Sequence, residues 1–172
     1  WSNAAQLPQR ADFASSIVLK IKDETVASII YDPIRDEMFL AEKGKGAYLN
    51  NSRIRVSSSS QIQQAFLVLE SLELVEVLPQ QFNAYAKLEN YRVLGSYSLD
   101  LANIACGKID CYITAKIDRY EYLAGLFLLR ESGGIIYKPP ELKCNIITNN
   151  NMIANFWSDF MLGNYFSMKI IK

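Results

Sequence analysis

The chain has 172 residues and a mass of 19.5 kDa, half of it apolar and 12% aromatic, enough to bury a sizeable core and too much for a disordered chain. Lys and Arg total 18 and Asp and Glu total 18, so no net charge draws it to nucleic acid or to an anionic membrane. It has no histidine, which excludes a Ser-His-Asp triad, a Cys-His pair, a His-ligated zinc or an imidazole acid/base built from this chain alone.

Residues 1–12 are polar and irregular, without the basic and apolar regions of a signal peptide. Phe13 to Lys22 alternates and is rich in Ile and Val, which predicts a strand. A polar turn at Asp23-Glu24 leads to a β-branched strand from Thr25 to Tyr31, ended by Asp32-Pro33. Glu37 to Glu42 predicts a third strand. Gly44 and Gly46 mark a turn into a short fourth at Ala47-Tyr48-Leu49, and Asn50-Asn51 is a further turn. These segments predict an antiparallel meander. The serine run Ser57 to Ser60 reads as a loop dividing the chain into an antiparallel half, residues 1–60, and an α/β half, residues 61–172.

In the second half, Ala65 to Glu70 predicts a strand and Glu76 to Leu88 a helix with Pro79 near its start. Arg92 to Leu94 follows as a strand, and Ser98 to Cys106 as a helix closed by Gly107. Ile109 to Ile113 predicts a strand. Glu121 to Glu131 is a strongly apolar helix stopped by Ser132-Gly133-Gly134, and Ile135 to Tyr137 is a strand broken by Pro139-Pro140. Helical spacing returns from Asn149 to about Tyr165 through Met152, Ile153, Phe156, Phe160 and Met161. Cys106, Cys111 and Cys144 are odd in number and form no C-x-x-C pair, so they read as core fillers in a reducing, cytoplasmic setting. Charges interrupt every long apolar stretch, so no bilayer span is expected.

Three patterns in order carry a resemblance. The first runs Val26-Ala27-Ser28-Ile29-Ile30-Tyr31-Asp32-Pro33-Ile34-Arg35-Asp36-Glu37-Met38-Phe39, continues through Gly44-Lys45-Gly46-Ala47-Tyr48-Leu49-Asn50, and ends at Ile54-Arg55-Val56-Ser57. The second is Arg92-Val93-Leu94-Gly95-Ser96, then Ser98-Leu99-Asp100-Leu101-Ala102 and Gly107-Lys108-Ile109-Asp110-Cys111-Tyr112. The third is Leu123-Ala124-Gly125 with Arg130-Glu131-Ser132-Gly133-Gly134. Together they resemble the inositol monophosphatase family, including its bacterial extragenic-suppressor branch, from about Phe13 to Phe166. The resemblance implies a layered αβαβα sandwich of mixed α/β and α+β character, here lacking the leading helices and early strands. It also implies Mg²⁺-dependent hydrolysis of phosphate monoesters of the inositol 1-phosphate class, and commonly a homodimer. The chemistry is sound without histidine, because Mg²⁺ neutralises the phosphate, lowers the pKa of the attacking water and stabilises the leaving alkoxide.

The chain departs from the family at the metal site. The family takes its carboxylates from an early Glu-Glu pair, from an Asp-Pro-x-Asp-Gly-Thr motif and from an Asp that follows a Trp. Nothing here matches the first two, since residues 1–12 hold only Asp12, which falls too late. The third becomes Tyr120-Glu121, so Glu121 is the metal ligand the resemblance leaves, with its oxygens displaced by one methylene. Gly95 and Ser96 match the family's substrate-side turn. Thr114 stands where the family often has Glu, and Tyr97 replaces a small residue.

Structural explanations stand beside these readings. Glu121 suits a helix N-terminus, with Asp118 as a cap three residues earlier. Asp100 suits a first helical turn, Asp32 and Asp36 a proline turn, and Gly95-Ser96 an ordinary turn and cap. Lys43 and Lys45 read as a solvated hairpin. One recognisable carboxylate cannot hold two or three metal ions, so efficient turnover by this chain alone is not expected. The alternative is a catalytically inactive relative that keeps the scaffold as a dimer or as a partner-binding surface.

Overall fold

The computed structural model describes residues 13–60, 65–71, 91–115, 117 and 120–162. The helix expected over 76–88, the Asp118 cap and the end of the last helix beyond residue 162 lie outside the described residues.

The antiparallel meander forms with five strands: β1 (Ser15–Ile21), β2 (Glu24–Asp32), β3 (Glu37–Glu42), β4 (Gly46–Leu49) and β5 (Ser52–Ile54), neighbours in sequence order throughout. Asn50 and Asn51 both take positive φ, 45° and 68°, as a tight hairpin turn requires. That turn brings Ser52–Ile54 back against β4, a strand too short to show a pattern of its own in the sequence. At the β2–β3 turn, Asp32 is 1% exposed. Its Oδ1 accepts the amide N–H groups of Ile34 and Arg35 at 2.9 and 3.2 Å, and the Arg35 guanidinium donates to Oδ2 at 2.7 Å. Asp36, in turn, accepts from the Tyr31 hydroxyl. Both acids therefore shape the proline turn.

Burial alone would raise the Asp32 carboxyl's pKa, but the Arg35 guanidinium and the two amides outweigh it and hold the carboxyl below its usual value. A depressed folded-state pKa gives stability that is fully present above the unfolded value of about 4 and is lost as pH falls through the folded one. Asp32→Asn is accordingly expected to flatten the loss of stability as pH falls below about 4. Urea midpoints measured across that range check it, and unchanged steepness would refute it.

The second sheet has the order β7-β6-β8-β10-β9, from β6 (Leu67–Leu69), β7 (Tyr91–Arg92), β8 (Cys111–Thr114), β9 (Ile135–Tyr137) and β10 (Asn145–Thr148). β7, β6 and β8 are mutually parallel, and β10 runs antiparallel to both β8 and β9. The sequence reading missed β10, whose four consecutive buried residues follow directly on the irregular Pro139-Pro140 segment. Three helices complete the described fold: α1 (Tyr97–Ala105), α2 (Tyr120–Ser132) and α3 (Asn151–Met161). Asn150 caps α3 by accepting from the Ile153 amide at 3.0 Å.

Three apolar clusters show how the layers stack. Ile30, Phe39, Ala41 and Ala47 of the first sheet pack on Leu99 and Ala102 of α1 and on Ala124 and Leu128 of α2. The other sides of the same helices send Leu101, Ile104, Tyr122 and Leu129 against Val68, Tyr112 and Ile147 of the second sheet. The far face of that sheet, with Leu67, Leu69, Cys111, Ile113 and Ile146, is covered by Ile153, Phe156, Trp157 and Met161 of α3. The described layers thus run sheet, helices, sheet, helix, four successive layers of the expected sandwich. The second-sheet strands read as continuous apolar runs because both faces are covered. α2 is apolar almost all round because it lies between two sheets. Cys106, Cys111 and Cys144 are free thiols, the latter two buried. No helix among the described residues is long and apolar enough to cross a membrane.

The third sequence pattern ties layers together. The Glu131 carboxylate accepts the amides of Gly44 and Gly46, binding α2 to the β3–β4 turn. The Ser57 loop is held by Asn149, whose side-chain amide donates to Ser57 O and Ser59 O at 3.0 and 2.9 Å.

Candidate functional site

Parallel pairing decides which residues meet. Because β7, β6 and β8 point the same way, whatever follows each of them lies at one edge of the second sheet. Glu70 follows β6, the Gly95-Ser96 turn follows β7 and leads into α1, and Thr114 ends β8 ahead of α2. The carboxyl edge of parallel strands, facing helix N-termini, is where α/β folds bind ligands.

Gly95 has φ of 88°, a conformation that favours glycine, and a Cβ there would meet nothing within 4 Å, so the backbone is open to approach. Ser96 occupies the N-cap position of α1 in extended conformation, and its carbonyl accepts the Asp100 amide at 2.8 Å. Its hydroxyl makes no capping bond, so the expected cap is one of position only. Glu121 lies exposed in the first turn of α2. The two helix starts are stitched together by Ser98, whose hydroxyl donates to the Glu121 carbonyl at 3.1 Å and accepts from Ser16 of β1 at 2.9 Å. Two helix N-termini in this arrangement favour an anion.

Thr114 is fully buried. Its hydroxyl donates to Glu70 Oε2 at 2.9 Å, and the Ala115 amide donates to the same oxygen at 2.8 Å. The Tyr122 hydroxyl lies 3.0 Å from Thr114 Oγ1, 3.3 Å from Glu70 Oε1 and 3.4 Å from the Tyr112 hydroxyl. Burial, reinforced by the Glu70 charge and only partly offset by the Thr114 and Tyr112 hydrogen bonds, pushes the Tyr122 phenol up to about 12. Tyr112 is pushed up as well, first by burial and then by Tyr122. Both phenols therefore stay protonated donors at neutral pH. The Tyr97 ring stacks on Tyr122 with centroids 4.9 Å apart, which joins the Gly95-Ser96 turn to the Glu70 cluster.

The structure thus brings Gly95, Ser96 and Thr114 to one edge, with the start of α2 and so Glu121 beside them. Sequence reasoning missed Glu70. It ends an apolar strand and belongs to no motif quoted above, so only the β6–β8 pairing reveals it. Among the described residues no group of three or more Asp, Glu, Cys or His side chains could hold a metal ion.

The inositol monophosphatase family model matches residues 8–159. The chain belongs to the inositol monophosphatase family. It is 35% identical over 129 residues to the Nus factor SuhB of Escherichia coli (strain K12), covering 72% of this chain and 48% of that protein. It is 35% identical over 130 residues to the inositol-1-monophosphatase of Bacillus subtilis (strain 168), covering 73% and 49%. The chain thus spans about half the length of these curated relatives. Among solved structures, the extragenic suppressor protein suhB of Bartonella henselae superimposes with a TM-score of 0.73 at 28% identity, over 87% of this chain and 63% of that one. The inositol monophosphatase of Anabaena (Nostoc) sp. PCC 7120 gives 0.69 at 29%, over 87% and 64%.

Proposed function

We propose that this chain forms the substrate-binding wall of a phosphate monoesterase site of the inositol-monophosphatase type, with inositol 1-phosphate as the substrate class. The observation that carries the reading is the convergence of the Gly95-Ser96 turn, the starts of α1 and α2, and Thr114 on one sheet edge. The backbone of that edge attracts the phosphate, and the Ser96 hydroxyl, unused in capping, donates to it. Tyr97, stacked on the buried Tyr122, supplies an apolar flank for the alcohol portion.

The described residues do not fit a magnesium centre by themselves. Mg²⁺ requires near-octahedral oxygens at short range. The carboxylates at this edge are Glu121, on the exposed first turn of α2, Asp100, buried in the first turn of α1, and Glu70, already engaged by Thr114 and Ala115. Slow turnover by this chain alone follows from that count. The test is colorimetric phosphate release from inositol 1-phosphate with magnesium. Whatever turnover is present is expected to fall at least about tenfold in Glu121→Ala, while binding of inorganic phosphate, followed by calorimetry, persists. Turnover undiminished in Glu121→Ala refutes the role of Glu121, and absence of phosphate binding refutes the reading as a whole.

A second reading is supported by a separate observation. On the first sheet's outer face, Ile17 pairs with Ile29, Ile29 with Leu40, and Leu40 with Tyr48. Ile17, Leu19 and Ile21 are more than half exposed there, and a shallow pocket of about 250 Å³ is lined by Met38, Leu40 and Tyr48 among others. A contiguous apolar face of this kind suits a catalytically inactive scaffold that dimerises or docks a partner. A monodisperse dimer by light scattering, together with no phosphate binding, would favour it.

A further inference from the structure

The start of α1 is held without the bond that ordinarily fixes a helix start. A serine at the N-cap position turns its side-chain oxygen back over the first turn and accepts an amide N–H there. At α3 the Asn150 side chain does this for the Ile153 amide at 3.0 Å. The Ser96 hydroxyl makes no such bond. Two side-chain contacts to α2 hold the start of α1 instead. The Ser98 hydroxyl donates to the Glu121 carbonyl at 3.1 Å. The Tyr97 ring stacks on Tyr122 with centroids 4.9 Å apart and planes inclined by 25°. Successive helical residues point about 100° apart, so these two neighbours grip α1 from two directions. Tyr122 is a fixed base for the stack. It is fully buried, and its hydroxyl lies 3.0 Å from Thr114 Oγ1, 3.4 Å from the Tyr112 hydroxyl and 3.3 Å from Glu70 Oε1, to which it donates.

We infer that Tyr97 is a positioning residue: its stack on Tyr122 takes the place of the missing cap and holds Ser96 where its hydroxyl donates to a bound phosphate. This rests on the phosphate-ester reading above and says what fixes one donor of that site. A capping serine spends a first-turn amide and directs its oxygen toward the helix. Without the cap, that amide and the Ser96 rotamer are both left to the ligand, and the helix start needs another anchor. The ring stack supplies it one residue away from Ser96. On the other side of Ser96 the chain offers little restraint, since the space around Gly95 is open. Tyr97 replaces a small residue of the family pattern, so this clasp is a feature of this chain. An alanine at 97 would leave only the Ser98 contact, and a donor displaced by a fraction of an ångström loses much of its hydrogen bond.

A double-mutant cycle on the whole chain tests it, read by calorimetric titration with inorganic phosphate in magnesium buffer. A hydrogen bond to a charged acceptor is worth about tenfold in affinity or more, so Ser96→Ala is expected to weaken phosphate binding by at least that factor. Tyr97→Ala is expected to weaken it comparably. Because Tyr97 acts through Ser96, the double variant is expected to bind no more weakly than the worse single one. Tyr97→Phe, which keeps the ring and loses only the hydroxyl, is expected to restore the affinity. Tyr97→Leu keeps apolar bulk without a flat face to stack, and it takes the place of the alanine variant if that one fails to fold. A merely structural Tyr97 would give independent losses that multiply, about a hundredfold in the double variant, and would overturn the proposal. So would native affinity in Tyr97→Ala, or a phenylalanine variant as weak as the alanine one. Native affinity in Ser96→Ala would overturn the proposal and leave phosphate binding at this edge standing. Failure of the native chain to bind phosphate would overturn the phosphate-ester reading first, and this proposal with it.

Discussion

Gly125→Val is expected to destabilise the chain by about 3 kcal/mol, the upper end of the cost of overpacking. A Cβ at Gly125 would lie 2.6 Å from both Cβ and Cδ1 of Leu101. The Leu101 methyl can rotate away, but its Cβ is fixed by the backbone of α1, so the two helices would have to separate. They form the middle layer and pack on both sheets, so separation opens two of the three apolar clusters at once. Gly125→Ala costs less, because alanine regains up to about 1 kcal/mol of helix propensity. The same crossing brings the helix starts together at the Ser98–Glu121 contact. Loss of phosphate affinity should therefore accompany loss of stability in the valine variant. Urea midpoints and phosphate titration check both effects, and a valine variant as stable as the native chain would show that α1 and α2 do not cross this closely.

Trp157→Ala is expected to cost about 3–5 kcal/mol, the range for removing a large aromatic side chain from a core. Trp157 is 1% exposed and meets Phe156 and Phe160 edge-on, at centroid distances of 5.3 and 5.8 Å. The three rings hold α3 on the far face of the second sheet, opposite the layer that builds the candidate site. Thermal melts should therefore shift sharply downward, while phosphate binding measured well below the transition stays near the native value. A cost under about 1 kcal/mol would mean that α3 contributes little to the core.

These two positions were not equally readable. Trp157 stands on an amphipathic run through Ile153, Phe156, Phe160 and Met161, and such spacing marks a buried helix face whatever it packs against. The need for glycine at 125 has no local cause. Glycine is a poor helix former, and only the approach of Leu101, 24 positions earlier, accounts for it. The motif containing Gly125 carried the family resemblance, while the physical reason for the motif lay in the helix crossing.

The sequence by itself determined the strand meander, the apolar middle helix, the absence of imidazole chemistry and the family, because alternation, turn residues and motif order are local properties of the chain. The tertiary structure decided that β10 joins the second sheet, that Glu131 binds the β3–β4 turn, and that Glu70 lies against Thr114. Each of these depends on pairing between segments far apart in the chain: Glu70 and Thr114 are 44 positions apart, Gly44 and Glu131 are 87 apart. Strand order and parallel direction are set by how both sheets bury their faces against the same two helices, and a linear pattern of apolar residues does not encode which strand will lie beside which.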